Sequence, residues 1–169
     1  MISIDDLYIW AVELGITVTF GNLRKYNPGL LGKADAATIT ITIDNSLIKK
    51  RRKLKCVLAE EIGHILYPPR PGHVAYHSTN YYHIDHCDRS NIKAIVAQDE
   101  RKALTWATGV LIPDVEFWRV NRNGVDTVYE LAEYFEVEEW FMMLKIGYIR
   151  RAARNKGQKI KWKDIIKRY

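Results

Sequence analysis

Cysteine is scarce in this sequence, and long apolar segments are missing. Cys56 and Cys87 are the two cysteines among 169 residues, too few for a disulfide framework. No apolar run approaches the roughly 20 residues that a membrane-spanning helix needs. The first ten residues carry Asp5 and Asp6 but no Lys or Arg, whereas a secretory signal begins with basic residues. These absences predict a soluble, cytoplasmic protein with no membrane partner.

Acidic residues are nearly missing from the end of the chain. Residues 145–169 contain ten of the 26 Lys and Arg residues and a single acid, Asp164. A second basic cluster, KKRRKLK, occupies residues 49–55. We therefore predict one domain over residues 1–150 and a basic C-terminal extension over residues 151–169. Such a tail is typical of proteins that bind nucleic acid or an acidic partner, but a solvated extension explains the charge equally well.

The rest of the chain has the composition of a globular domain, with 47% apolar and 27% charged residues. Apolar residues and threonines alternate strictly over residues 37–43, ATITITI, which is the strongest strand signal, and a second short strand is predicted at residues 16–20. Residues 21–35 and 68–90 are predicted to be loops. Apolar residues at helical spacing predict the helices, near residues 4–14, 47–67, 91–112, 127–135 and 138–154. This order favours an α+β fold with a small sheet.

The sequence LAEEIGH at residues 58–64 is close to the zinc-protease motif H-E-x-x-H, with a glutamate in place of the first histidine. Glu60 and His64 are four residues apart, so both side chains project from one face of a helix and a metal ion can bridge them. Glu61 is rotated by about 100° from Glu60, where a general base for an activated water would stand. A solvated helix face is the alternative, although Gly63 costs about 1 kcal/mol in a helix and predicts that something approaches its backbone closely.

A third ligand is required, because catalytic zinc takes three protein ligands and keeps one open position. The helix predicted from residue 91 offers Glu100, followed by Ala103 and Ala107 on the same face. The two alanines predict a smooth strip that lets this helix approach another helix, so that Glu100 reaches across to the motif. The alternative is that both alanines are ordinary core residues and Glu100 is solvated.

Four of the five histidines lie in the loop predicted over residues 68–90. They are His73, His77, His83 and His86. His83 and His86, followed by Cys87, could supply a replacement metal ligand or an oxyanion donor, or they could belong to a solvent-exposed loop. Further along, residues 130–146 resemble half of a helix-turn-helix, but their apolar side chains favour a pair of core helices.

Three segments in order carry a resemblance to a known family: LAEEIGH (58–64), QDERKALTWATGVLIP (98–113) and VYELAEYFEVEEWF (128–141). Together they resemble the ImmA/IrrE metallopeptidases of phages and integrative elements, over roughly residues 3–150. The resemblance implies a zincin-like fold, in which a small, mostly antiparallel sheet packs on the motif helix and the C-terminal half is helical. It implies metal binding by Glu60, His64 and Glu100, with Glu61 as the catalytic general base.

The resemblance also implies a function, namely zinc-dependent cleavage of a phage-type helix-turn-helix repressor that controls induction of a mobile element. We expect the substrate to pair as a strand with an exposed sheet edge, namely the strand at residues 37–43. Two carboxylates neutralise a divalent cation, so the metal should be a weaker Lewis acid, and Mn²⁺ or Fe²⁺ becomes more competitive with Zn²⁺. The alternative function is a non-catalytic regulatory protein of the same fold that binds a repressor or nucleic acid.

Overall fold

The structure is a computed structural model that describes residues 1–68 and 91–166. The described residues form six α-helices: α1 Ile4–Glu13, α2 Arg51–Leu66, α3 Asn91–Leu111, α4 Asp114–Arg122, α5 Val128–Phe135 and α6 Glu139–Asn155. They also form three β-strands: β1 Thr17–Gly21, β2 Gly32–Asp35 and β3 Thr40–Asp44. The predicted α+β class is confirmed. Within these ranges, no helix combines the length and the apolar character that crossing a membrane requires.

Two capping boxes start helices where the sequence predicted helix starts. The Ser3 hydroxyl accepts a hydrogen bond from the Asp6 backbone N–H, and the Asp6 carboxylate accepts one from the Ser3 backbone N–H. Thr127 and Glu130 make the same reciprocal pair at the start of α5. Each box satisfies backbone donors that the first helical turn leaves without an intrahelical acceptor.

The sheet is mixed, not mostly antiparallel as the resemblance implied. Its strand order is β1-β3-β2, with β3 parallel to β1 and antiparallel to β2. The edge strands β1 and β2 run in opposite directions, and β3 fills the gap between them after a hairpin from β2. β3 is the central strand and already pairs with a strand on each side. The prediction that a substrate pairs with residues 37–43 is therefore wrong.

The strand predicted at residues 37–43 begins at Thr40, because residues 36–39 form the turn of the β2–β3 hairpin. Ile41 and Ile43 are fully buried, as the alternation predicted. Ile39 continues the alternation in sequence, but it is 44% exposed and has a φ of 50°, a conformation that is rare for a β-branched residue. β2 lies inside the segment predicted to be a loop, since its residues, GKAD, have no strand pattern.

Helix α2 is the centre of the domain. Its eleven consecutive residues from Leu54 to His64 are all buried, because α1, β2, β3 and α3 each pack against it. A helix that is covered all round has no solvent-exposed stripe. Any charged residue in the second half of α2 is therefore enclosed by protein.

The C-terminal segment packs on the domain as far as the structure describes it. The boundary predicted after residue 150 falls inside α6, which continues to Asn155. Ile165 is 2% exposed, and its carbonyl accepts a hydrogen bond of 2.6 Å from the side-chain amide of Asn121. Ile160 and Ile166 also pack against the core. Up to residue 166, the predicted extension is part of the folded unit.

Helices α5 and α6 form the pair whose sequence resembles half of a helix-turn-helix. Glu136 ends α5 in the left-handed conformation, with a φ of 52°, which a turn glycine would normally adopt. Phe141 and Met142 in α6 are fully buried. This burial favours the interpretation of α5 and α6 as core helices over that of a DNA-reading pair.

Candidate metal centre

The three charged residues of the LAEEIGH motif are buried. Glu60 is 1% exposed, Glu61 is 0% exposed and His64 is 2% exposed. Burying an ionised carboxylate costs several kcal/mol unless neighbouring charges and hydrogen bonds offset the loss of water. A solvated helix face, the alternative that the sequence left open, is therefore excluded for these residues.

The motif helix and α3 cross at very short distance. A Cβ added to Gly63 would lie 2.7 Å from the Ala103 carbonyl oxygen and 3.1 Å from the Ala103 Cα. Ala103 and Ala107 are both fully buried at this crossing. The close approach predicted from Gly63 and the smooth strip predicted from the two alanines are both confirmed.

This crossing brings His64 and Glu100 together. His64 Nε2 lies 3.5 Å from Glu100 Oε2, and the Glu100 side chain is 20% exposed. Two ligands of a tetrahedral ion with bonds of about 2.0–2.2 Å lie about 3.4 Å apart, so this spacing suits a shared cation. One imidazole and one carboxylate also form a donor set that zinc accepts. His64 and Glu100 thus have the spacing and the chemistry of two of the three ligands that the family resemblance implies.

Glu61 lies on the side of α2 that faces the sheet. A Cβ added to Gly32, the first residue of β2, would lie 2.3 Å from Glu61 Oε1 and 2.8 Å from Glu61 Cδ. The Glu61 carboxylate therefore lies directly against the backbone of an edge strand. The Glu61 contact with β2 and the Gly63 contact with α3 therefore lie on different sides of α2.

Glu60 influences the titration of Tyr148 in α6. Burial, together with the charge of Glu60, raises the pKa of the Tyr148 hydroxyl to about 12, while Thr105 lowers it through a hydrogen bond. Burial is also the main cause of the raised pKa of the Cys56 thiol, which accepts a hydrogen bond of 3.4 Å from the Glu138 backbone N–H. The charge of Glu60 therefore acts on a tyrosine of α6.

Three metal-ligating side chains do not meet in one place within residues 1–68 and 91–166, since no group of three or more His, Cys, Asp and Glu is arranged there to hold a metal ion. The structure brings His64 and Glu100 to ligand spacing, and Glu60 remains a predicted third ligand. The histidines at 73, 77, 83 and 86 and Cys87 lie outside the described residues. The ligand or oxyanion role considered for them stays a prediction.

The second basic cluster, residues 49–55, divides between surface and core. Lys49 and Lys50 are exposed, and the Arg52 guanidinium forms an ion pair with Glu133. Lys55 is 3% exposed and donates a hydrogen bond of 3.0 Å to the Phe135 carbonyl at the end of α5. Lys55 is therefore a structural residue, and only the exposed members of the cluster are available to a partner.

No sequence pattern indicated two neighbours of the site, namely Gly32 and Tyr148. Gly32 is 29 positions from Glu61 in the chain, and no local pattern distinguishes it from the other glycines of its loop-like segment. Tyr148 occupies an ordinary position in an amphipathic helix.

In comparisons with known proteins, no family model matches the chain, and no curated protein or solved structure matches it either.

Proposed function

We propose that this chain is a cytoplasmic metal-dependent endopeptidase of the ImmA/IrrE type, which cleaves a helix-turn-helix repressor and so controls a mobile element. The observation that carries the proposal is the buried pairing of His64 with Glu100 at 3.5 Å. That pairing joins two helices whose approach depends on Gly63 and Ala103. A general base candidate, Glu61, lies on the same stretch of α2.

Glu60, His64 and Glu100 would hold the metal, either Zn²⁺ or another divalent cation such as Mn²⁺. When bound, the cation supplies Lewis acidity to the scissile carbonyl and lowers the pKa of water. Glu61 takes a proton from the attacking water as its oxygen bonds to the carbonyl carbon. Glu61 then gives that proton to the amine nitrogen as the C–N bond breaks.

The substrate is expected to bind along β2, not β3. β3 pairs with β2 on one side and with β1 on the other, whereas β2 pairs only with β3 among the described residues. An extended peptide can add to such an edge through main-chain hydrogen bonds. The contact between Gly32 of β2 and Glu61 supports this edge, because a peptide beside it would lie near the proposed base.

The test compares two glutamate variants of one helix. Glu61→Gln removes the proton acceptor and keeps the side-chain shape, so we expect metal content to persist while repressor cleavage falls by at least about 10²-fold. Glu60→Gln should instead lower the metal content first. The measurements are metal analysis of each purified variant, and mass spectrometry of the helix-turn-helix repressor encoded beside its gene after incubation with the metal-loaded protein.

One observation favours a second candidate, a non-catalytic regulator of the same fold that binds a repressor or nucleic acid. Within the described ranges the three predicted ligands do not form a single metal-holding group. A regulator would bind its repressor equally well with Glu61→Gln and after treatment with a chelator. If the fully loaded wild-type protein leaves the repressor intact, this second candidate replaces the peptidase.

A further inference from the structure

Gly32 is needed for space and not for backbone conformation. The glycines with positive φ are Gly15, Gly124 and Gly157 among the described residues, so Gly32 has a backbone that other residues can adopt. Its missing side chain matters because the Glu61 carboxylate fills that volume, with Oε1 only 2.3 Å from an added Cβ. Real Cβ atoms do not approach an oxygen so closely, so one of the two groups must move if Gly32 is replaced.

The backbones on both sides of this contact are held in place. Gly32 pairs with Ile43 in the sheet, and the preceding Leu31 carbonyl accepts a hydrogen bond of 2.9 Å from the Asp44 N–H. Helix α2 cannot retreat either, because Gly63 already touches the backbone of Ala103 in α3. The Glu61 side chain is therefore the part that must rotate when a methyl group is added at position 32.

We propose that Gly32 is a positioning residue, whose missing side chain lets the Glu61 carboxylate lie against β2 and so fixes its direction. The inference rests on the proposed function, because it gives the position of Glu61 a catalytic purpose. A general base displaced by about 1 Å can lose about 10²-fold in rate. Gly32→Ala should therefore lower kcat by 10-fold or more, with little change in KM and an unchanged metal content.

The contact itself is tested without any activity measurement, through a double-mutant cycle in thermal unfolding. Gly32→Ala should lower Tm by about 4–8 °C when Glu61 is present, since overpacking of this size shifts Tm by a few degrees per kcal/mol. In a Glu61→Ala background, the same substitution should change Tm by less than about 2 °C. Gly21→Ala is the matched control in β1, where an added Cβ would meet Thr42 Cγ2 at 3.2 Å and should not couple to Glu61.

The outcomes separate the two proposals. Equal Tm losses with and without the Glu61 side chain would overturn the positioning role, whatever the activity shows. Coupling in Tm together with a selective loss of kcat supports it, and a kcat equal to that of the wild type overturns it. A further outcome is that the double-mutant cycle shows coupling in Tm while the metal-loaded wild-type protein cleaves no repressor. That result overturns the proposed function, and with it the catalytic purpose of the contact.

Discussion

Two segments of the molecule mix charged with apolar side chains but place the charges differently. They are residues 54–64 of α2 and residues 150–166 at the end of the chain. In α2, Glu60, Glu61 and His64 are enclosed. In the C-terminal segment, Ile165 is enclosed while Lys161 and Lys163 are exposed. The second arrangement is the ordinary one, because lysines keep their charge in water while apolar neighbours are buried. The first is costly and therefore points to a chemical role.

The largest effect is expected from removing the C-terminal segment by truncation after Lys156. The deletion removes Ile165, which is 2% exposed, and its hydrogen bond from Asn121, as well as the packing of Ile160 and Ile166. Burial of a single Ile side chain contributes about 1.5–3 kcal/mol, so we expect a total loss of about 3–5 kcal/mol. Thermal unfolding should show Tm lower by about 10 °C. A Tm within 2 °C of the full-length value would mean that the segment is an independent extension.

The sequence was more informative about the α2–α3 crossing than about this segment. Gly63 costs about 1 kcal/mol relative to alanine inside a helix, so its presence in α2 indicated a close neighbour, and Ala103 and Ala107 on one face of α3 offered the space for it. The C-terminal segment was harder to predict, because ten bases in 25 residues indicate an extension that binds a partner or is solvated, and not one that packs on the domain. The segment packs on the domain through Ile160, Ile165 and Ile166. No periodic pattern in the local sequence predicts which residues these side chains contact.

The sheet was predictable in part, for a related reason. In β3 the buried isoleucines alternate with threonines, so the strand period was visible in the sequence. β2 is a short edge strand, and its residues show no such alternation. Gly32 contacts a residue 29 positions away. Neither the mixed strand order nor the Gly32–Glu61 contact follows from local sequence, since both depend on how distant segments pair.

An intermediate effect is expected at the crossing. Gly63→Ala places a methyl group 2.7 Å from the Ala103 carbonyl oxygen, so α2 and α3 must separate, at a cost of about 2–3 kcal/mol. The separation also moves His64 away from Glu100, so metal binding should weaken. Gly109→Ala in α3 is the matched control, because nothing lies within 4 Å of an added Cβ there, and it should be neutral or stabilising by up to about 1 kcal/mol. Urea unfolding and metal titration of both variants measure this difference, and equal results at the two glycines would contradict the close crossing.

The smallest effect is expected from removing charge without removing apolar contacts. Lys156, Lys159 and Lys161 are exposed, so the triple change to Gln should alter stability by less than about 0.5 kcal/mol, the usual range for surface substitutions. Tm should stay within about 2 °C of the wild-type value, in contrast to the truncation, although both variants lose bases from the same segment.

If the segment also binds nucleic acid, the triple variant should lower the slope of log affinity against log salt by up to about 2.7, since each neutralised phosphate contributes about 0.9 for duplex DNA. Titrating a DNA duplex of unrelated sequence at several salt concentrations measures that slope. An unchanged slope would show that these three lysines contact no phosphate, and a large loss of Tm would show that the charges, and not the isoleucines, hold the segment on the domain.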